Sequence, residues 1–571
     1  MRLALLALAA SIAIASAAPA VAEPAAMTAY SEEAAGRWWA AHPDAASWVA
    51  GRAELRATLD AAQAKVGAER AAANAHFLGW AAHLRWLSLF PDDPAAHPYF
   101  SKAEARAAFA AVGQNERLRL LFLGALTAHD DAPKAAEILC RVAEKNGEKL
   151  SEYQALAVAL AVVFDQPFPK AWPHPFVEAN GPATSAADLD PARRFAFYAK
   201  GNEEGKFLLD TRRLSVRELT FLVDTPLEFK ELFYAQQVNL KTPDRLAQLY
   251  TQIPYDVGRM DKGVYLWPHG AYRLIDIGKK GGICVDQAFF VEQTGKSQGV
   301  PTVLLLGQGS SGQHGRVGYL KGPNQWEFRA GDYRGSDFPV GECFDPQSWR
   351  RITDDLLMFQ MKYDARAAGK ARLILGWALM NEGAPDYRAL LAAARAHMPQ
   401  GIDIWEAEAA ALAASDAAIP ERAAFWKAWL ANFRDVRDLK SKAQVQLLRL
   451  AEQAGDDAAA KRLRDEIVRE NKSGRFDLAV AIQAEPMLEA LDAGRFDEAE
   501  AKLKSAMAAF RSKAGGHVFY NLLQPYVRGC LAAGERDRAR RALAYLGKGF
   551  EVVRHSILYN DIEALKAEVG G

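Results

Sequence analysis

One cysteine in this chain stands where a reactive thiol is expected, after two glycines and at the start of a helical pattern. The glycines are Gly281 and Gly282, and the cysteine is Cys284. A helix N-terminus carries partial positive charge and unpaired N–H groups, so it lowers the pKa of a thiol and can help to form an oxyanion hole. Glycines here would let a substrate chain approach without Cβ clashes. We therefore take Cys284 as a candidate nucleophile and Gly282 as a candidate contact for substrate or oxyanion.

A thiol nucleophile needs a base that accepts its proton, and His314 is the best candidate. If the strand predicted after it packs against the cysteine helix, the imidazole reaches the sulfur. A third group would then orient the ring through its other nitrogen. Two other interpretations of the cysteine stay open. Cys284 is a small apolar core residue, or it forms a disulfide with Cys343 in an oxidising compartment.

The elements that must position these residues lie in the centre of the chain, at 251–350. A helical pattern runs from Cys284 to Gly295. The Gly/Ser-rich stretch 307–313 is interpreted as a mobile flap beside the cleft. A helix that leads into antiparallel strands indicates an α+β core. Three short strands bounded by turn signals are predicted, at 300–307, 315–320 and 325–329.

The two flanks of this core have helical patterns, which makes the predicted fold class mixed and mostly α. Residues 23–250 are predicted to form a helical N-terminal domain, and residues 351–571 a helical repeat domain. The repeat evidence is a set of glycines between helical runs, spaced 39 and 40 residues apart, at Gly455, Gly494 and Gly534. This pattern resembles tetratricopeptide-type solenoids of helical hairpins. An irregular alanine-rich helical bundle is the alternative.

The central segment resembles the core of the transglutaminase-like superfamily, which has a papain-like cysteine fold. The family motifs present here are Gly-Gly-x-Cys at 281–284, Gly-Val-Pro at 299–301, a strand that begins after His314, and a later strand that contains Trp326. The resemblance covers only about residues 255–345. It implies a Cys–His–Asp triad on one helix and successive strands, with Asp332 as the third member.

The sequence departs from the family pattern at two places. His314 is followed by Gly-Arg where the family commonly has Ala-Trp. The family's acid is expected near residues 329–330, and the nearest one is Asp332. Asp337 or Glu327 would be substitutes, or the orienting group is missing. The second oxyanion donor is not fixed by the pattern, and the indole N–H of Trp267 is a candidate.

The function implied by the resemblance is that of a cysteine enzyme acting on amide bonds of peptides or proteins. The thiol would form a thioester, which water resolves in a peptidase or amidase and an amine resolves in acyl transfer. This chemistry needs neither cofactor nor metal. The alternative is a non-catalytic scaffold that binds a peptide or protein, with a degenerate core and a partner surface on the C-terminal repeats.

An export signal is predicted at residues 1–22, with Arg2 before an apolar run and cleavage after Ala22. We therefore expect a periplasmic or secreted bacterial protein that does not insert into the membrane once the signal is removed. The chain has 70 Lys+Arg and 70 Asp+Glu. Such balance provides no overall basic field, so nucleic acid is excluded as an expected partner.

Overall fold

The computed structural model describes residues 30–169, 174, 187–309, 312–332, 341–364, 369–471, 475–510, 515–546, 552 and 556–570. The predicted signal peptide at 1–22 and the alternative acid Asp337 lie outside these ranges. The described chain is mostly helical and contains one five-stranded antiparallel sheet, which confirms the expected mixed, mostly α class.

Helices α1 to α14 make up the part of the chain before the sheet. Capping boxes begin two of them, because Asp44 and Ser215 each accept a hydrogen bond from a backbone N–H three residues later. The fourteen helices are α1 (Glu32–Ala41), α2 (Ala45–Val66), α3 (Ala68–Ala73), α4 (Ala75–Leu87), α5 (Ala103–Gln114), α6 (Glu116–Ala125), α7 (Ala132–Leu150), α8 (Gln154–Val163), α9 (Pro191–Glu203), α10 (Val216–Val223), α11 (Phe229–Gln236), α12 (Arg245–Gln252), α13 (Val257–Asp261) and α14 (Leu274–Lys280).

The central helix and the sheet follow directly. Helix α15 (Cys284–Ser297) packs on one face of the sheet. The strands lie in the order β3-β2-β1-β4-β5 and all neighbours are antiparallel. Their bounds are β1 (Thr302–Gly309), β2 (Gly312–Gly322), β3 (Gln325–Ala330), β4 (Gly341–Phe344) and β5 (Arg351–Thr353).

The Gly/Ser-rich stretch expected to form a flap belongs largely to the sheet. Strand β1 continues to Gly309, β2 begins at Gly312, and these two glycines face each other in the register of the hairpin. The prediction of a flexible loop is therefore wrong for residues 307–309 and 312–313, which belong to strands.

The two faces of the sheet carry different hydrophobic clusters. Leu306 packs with Cys284 on the face covered by α15. Its neighbour Leu305 packs with Cys343 on the opposite face. Successive side chains of a strand point to opposite faces, so the alternation along β1 separates the two cysteines.

Helices α16 to α28 make up the part of the chain after the sheet. They are α16 (Asp354–Asp364), α17 (Lys370–Leu379), α18 (Tyr387–His397), α19 (Ile402–Ala414), α20 (Ile419–Asn432), α21 (Arg437–Gln453), α22 (Asp457–Asn471), α23 (Phe476–Asp492), α24 (Phe496–Phe510), α25 (Gly515–Val518), α26 (Gln524–Ala532), α27 (Arg536–Leu543) and α28 (Ile557–Gly570). Within the described residues, none of the helices has the length and apolar character required to cross a bilayer.

The regularly spaced glycines each connect two helices of this C-terminal part. Gly455, Gly494 and Gly534 have φ angles of 71°, 71° and 79°. The N–H of the residue after each glycine donates to the carbonyl five positions earlier, as Arg495 does to Ala490 at 2.8 Å. This bond is typical of a Schellman motif, in which a left-handed residue ends the helix. Glycine adopts this conformation without strain.

Both flanks of the core contact distant parts of the chain. Helices α17 and α18 share a hydrophobic cluster with α2, α3 and α4, so the expected boundary near residue 351 does not separate two hydrophobic cores. The indole N–H of Trp377 donates to the side chain of Gln63 at 2.6 Å. At the other end, α28 packs on β2 and α25 packs on β1 and β2. The amide of Asn560 on α28 donates to the Tyr265 hydroxyl at 2.9 Å.

Replacing a turn glycine by alanine isolates the backbone strain at these connections. Nothing lies within 4 Å of a Cβ built on Gly494, so only its positive φ opposes a side chain. We expect Gly494→Ala to lower the free energy of unfolding by about 1–2 kcal/mol, the cost of a left-handed non-glycine residue. Gly36→Ala is the control, because it lies within α1 with open space around it. A urea midpoint that falls equally for both variants contradicts this interpretation.

Candidate active site

Cys284 is the first residue of α15 and is buried, with 6% of its surface exposed. The hydroxyl of Tyr250 lies 3.0 Å from the Cys284 carbonyl oxygen and 2.5 Å from the Gly315 carbonyl oxygen. It can donate to either carbonyl and so fixes the start of β2 against the start of the helix. A Cβ on Gly315 would lie 3.1 Å from the Val285 Cα and 3.3 Å from the Cys284 carbonyl oxygen. Glycine at 315, where the resemblance predicts alanine, thus allows a closer approach of strand and helix.

The thiol of Cys284 is surrounded by backbone N–H groups but is shielded from water. Burial raises its pKa to about 11, and the negative charge of Asp286 acts in the same direction. The N–H groups of Gly315, Val285 and Cys284 lower its pKa by hydrogen bonding to the sulfur. The sequence led us to expect a lowered pKa from the helix N-terminus alone. That expectation is wrong for this structure, because desolvation of the thiolate outweighs the three N–H groups.

The double glycine before the cysteine is required by the packing of the chain itself. Gly281 has a φ of 76°, and a Cβ there would overlap the Pro254 carbonyl oxygen. A Cβ on Gly282 would overlap the side chain of Asp286. The N–H of Gly282 also donates to Pro254 at 3.0 Å, so it is engaged within the fold. Both glycines are therefore required by the packing of the chain itself, and the role of Gly282 as a contact for substrate or oxyanion stays a prediction.

A buried ion pair holds the start of α15. The side chains of Arg259 and Asp286 are 3% and 0% exposed and form a salt bridge. Asp286 also accepts hydrogen bonds from the Ile283 N–H and the Tyr272 hydroxyl, both at 2.8 Å. Burial raises the pKa of Asp286, and the charge of Arg259 opposes that rise. These contacts fix the backbone just before the cysteine.

Trp267 packs against this ion pair. Arg259 donates to the carbonyls of Val264 and Tyr265, which fastens the loop before Trp267 onto α15. The guanidinium carbon of Arg259 is 5.7 Å from the centre of the Trp267 ring. The indole is 1% exposed and packs edge-to-face on Tyr272, with ring centroids 5.4 Å apart. The structure therefore assigns Trp267 a packing role beside the ion pair.

His314 lies at the start of β2, one residue before the Gly315 N–H that faces the sulfur. Its Nε2 is 2.7 Å from the carbonyl oxygen of Gly331. A carbonyl can only accept, so Nε2 carries the proton and Nδ1 is the basic nitrogen of the neutral ring. Burial lowers the pKa of His314, while the Gly331 carbonyl and the charge of Asp332 raise it. The imidazole is therefore predominantly neutral at pH 7.

The acid expected to orient His314 has a different principal partner. The Asp332 carboxylate lies 3.6 Å from the Arg316 guanidinium, which also pairs with Asp354. The ring donates a hydrogen bond to the backbone carbonyl of Gly331, one residue earlier, and Asp332 adds its charge. Glu327, an alternative acid, faces Tyr319 in the register of the sheet, five residues along β2 from His314.

The cysteines do not form the disulfide considered from the sequence. All four are unbonded and buried, and Cys284 and Cys343 lie on opposite faces of the sheet. Within the described residues, no group of three or more His, Cys, Asp or Glu side chains is arranged to hold a metal ion.

Three residues of this region were not identified from the sequence. Tyr250 and Arg259 occur in ordinary helical patterns, and their contacts depend on elements far apart along the chain. Gly331 carried one local signal, since a glycine at a strand end often has a positive φ, here 92°.

No family model, curated protein or solved structure matches this chain. The transglutaminase-like resemblance therefore stays a prediction.

Replacing Asp286 by asparagine removes the negative member of the buried pair. Because Arg259 would stay charged and buried, we expect Asp286→Asn to lower the free energy of unfolding by about 3–5 kcal/mol. The control is Glu33→Gln, which breaks an exposed ion pair with Arg37 and is expected to cost at most about 0.5 kcal/mol. Urea unfolding measures both variants. Equal stability of the two would contradict the role given to the buried pair.

Alkylation of Cys284 tests the protonation state of its thiol. With a pKa of about 11, the reactive thiolate is a minor species at pH 7. Its amount grows about tenfold per pH unit while the pH stays below the pKa. We expect the rate of iodoacetamide labelling at Cys284, followed by peptide mass spectrometry, to rise in this way from pH 7 to pH 9. A rate that is already constant at pH 7 would reveal a lowered pKa and a preformed thiolate–imidazolium pair.

Proposed function

We propose that this chain is an exported cysteine enzyme that acts on amide bonds of peptides or proteins through a thioester. Its catalytic core would be the transglutaminase-like segment 251–350. One observation carries the proposal: β2 contacts the start of α15 at Gly315, so that the N–H groups of Cys284, Val285 and Gly315 lower the pKa of the Cys284 thiol, with His314 next to Gly315 in the strand. A convergent set of N–H groups stabilises negative charge that develops during acyl transfer.

The proposed reaction begins with a neutral thiol and a neutral imidazole. The sulfur attacks the amide carbonyl carbon while Nδ1 of His314 accepts the thiol proton. The tetrahedral intermediate collapses when the C–N bond breaks and the imidazolium gives its proton to the leaving amine. A thioester remains on Cys284. Water then releases a carboxylic acid, or an amine releases a new amide, and either step regenerates the thiol.

The Gly331 carbonyl is central to this mechanism, because it selects the tautomer of His314. A carbonyl holds the proton on Nε2 as a carboxylate would, yet it stabilises the imidazolium less. The proton transfer is therefore expected to accompany the attack on the carbonyl rather than precede it. General-base catalysis of this type typically contributes about 10²–10⁴-fold to a rate.

A binding scaffold is the second candidate function. The observations that favour it are the raised pKa of the Cys284 thiol and the pairing of Asp332 with Arg316. In this alternative the core is structural, and the C-terminal helical hairpins present a surface to a peptide or protein partner. Neither function involves nucleic acid or insertion into the membrane, and the enzyme chemistry uses no cofactor or metal.

Acylation by an activated ester separates the two functions. We expect wild-type protein to release a burst of nitrophenol from p-nitrophenyl acetate, and Cys284→Ala to give none. His314→Gln should slow the burst by about 10²–10⁴-fold, since the base is lost. Asp332→Asn should slow it by less than about tenfold, because the principal orienting bond comes from Gly331.

Cys343→Ala is the matched control, since Cys343 is equally buried on the other face of the sheet. Its burst should equal that of the wild type. If the folded, reduced wild-type protein gives no burst above that of Cys284→Ala, the enzyme proposal fails and the scaffold is preferred. A loss in Asp332→Asn as large as in His314→Gln would instead make the carboxylate the orienting group.

A further inference from the structure

A cavity lies where the N-terminal helices, the sheet and the C-terminal helices meet. Its volume is about 580 Å³, within the range of small-molecule sites. The lining comes from the loop after α6, from α10, from the β4–β5 connection and β5, and from α16, α17, α19 and α21. Cys284 and His314 are not among the residues that line it. The cavity is thus separate from the candidate active site.

The carboxylates of this cavity are already neutralised by the protein. Asp345 forms a two-pronged salt bridge with Arg217, at 3.0 and 2.6 Å, and accepts a bond from the Gln347 N–H. The other three lining acids likewise have basic partners, in the pairs Asp403–Arg372, Glu406–Lys442 and Asp438–Arg475. The four acids therefore carry little net negative charge into the cavity.

Two basic side chains of the cavity, Arg350 and Arg351, are not paired with any of these four carboxylates. Five cationic side chains line the cavity against four carboxylates, and Arg475, which pairs with Asp438, lies outside the lining. Among the described residues, Arg350 forms no salt bridge, and its Nη1 lies 3.3 Å from the Nε2 of His129. The adjacent Arg351 reaches Glu342 only at 3.5 Å, with both side chains half exposed. Such an exposed pair contributes little.

The protonation state of His129 follows from its contact with Arg350. An arginine only donates, so Nε2 of His129 accepts and the ring is neutral. Burial lowers the pKa of His129, and the charge of Arg350 lowers it further. A positive guanidinium directed at a neutral imidazole leaves the charge of Arg350 available to an anion. An arginine fork matches the geometry of a carboxylate or phosphate.

The same cavity also has an apolar wall. Ile352, Leu356 and Phe359 contribute to it from β5 and α16, and Ile402 and Leu439 contribute from the helices opposite. A bare inorganic ion would leave this wall in contact with water. A ligand with an apolar body and one acidic group would satisfy both parts of the lining.

We propose that this cavity binds a small organic carboxylate, with its acid group on Arg350 and Arg351 and its apolar body against Phe359 and Leu356. The site does not involve the thiol, so it stands whether or not Cys284 is catalytic. The ligand would contact all three parts of the chain and would stabilise their arrangement by binding only the folded protein.

Calorimetric titration of the full-length protein with N-acetyl-L-phenylalanine tests this site. We expect saturable binding, with the neutral N-acetyl-L-phenylalaninamide at least about tenfold weaker, as loss of a charge-assisted hydrogen bond predicts. Arg350→Gln and Arg351→Gln should each weaken binding of the acid about tenfold or more. Arg434→Gln is the control, since Arg434 is 77% exposed and lies outside the cavity. It should leave binding unchanged.

The proposal is overturned if the acid does not bind saturably, or if the acid and the amide bind equally. It is also overturned if both Arg350→Gln and Arg351→Gln retain wild-type affinity while circular dichroism shows them folded. Inorganic phosphate is the third probe. Phosphate that binds more tightly than the acid would replace the carboxylate assignment by a phosphate site. The same titration on Cys284→Ala should match the wild type, which separates this site from the proposed enzyme.

Discussion

The buried pair of Arg259 and Asp286 is the interaction on which the candidate site depends. Two charges removed from water are tolerated only when each is well hydrogen-bonded, and both are here. Asp286 fixes the backbone before Cys284, while Arg259 fixes the loop before Trp267. Burying the two charges costs much free energy unless they stay paired. The pair therefore favours a single arrangement of α15 and the loop before Trp267. Cys284 takes its position from that arrangement.

Desolvation, which makes the Arg259–Asp286 pair select one arrangement, also controls the protonation state of the neighbouring Cys284 thiol. A helix N-terminus and three N–H groups favour a thiolate, but the apolar surroundings of Cys284 oppose it more strongly. Burial likewise lowers the pKa of His314 and keeps its imidazole neutral. Two neutral partners suit a mechanism in which the proton moves during the attack. They also keep the thiol less prone to oxidation, which depends on thiolate character and exposure.

Local patterns along the sequence predicted the parts of the fold that depend on local physics. The helix at Cys284, the first three strands and the glycine turns of the C-terminal helices follow from periodicity and turn residues, and the structure has them. Strands β4 and β5 were missed because they have only four and three residues. The pKa of Cys284 and the partner of His314 were also missed. Both depend on burial and on the backbone of Gly331, which no spacing of residue types reveals.

The bond between Asn560 and Tyr265 joins residues 295 positions apart. A contact across so long a loop forms slowly, and it can form only after residue 560 has been synthesised. A chain that leaves the ribosome N-terminus first therefore carries the cysteine segment for a long time before helix α28 reaches it. Until then the loop before Trp267 lacks this contact. The contact that secures the loop before Trp267 can therefore form only late, because of the order in which the chain emerges.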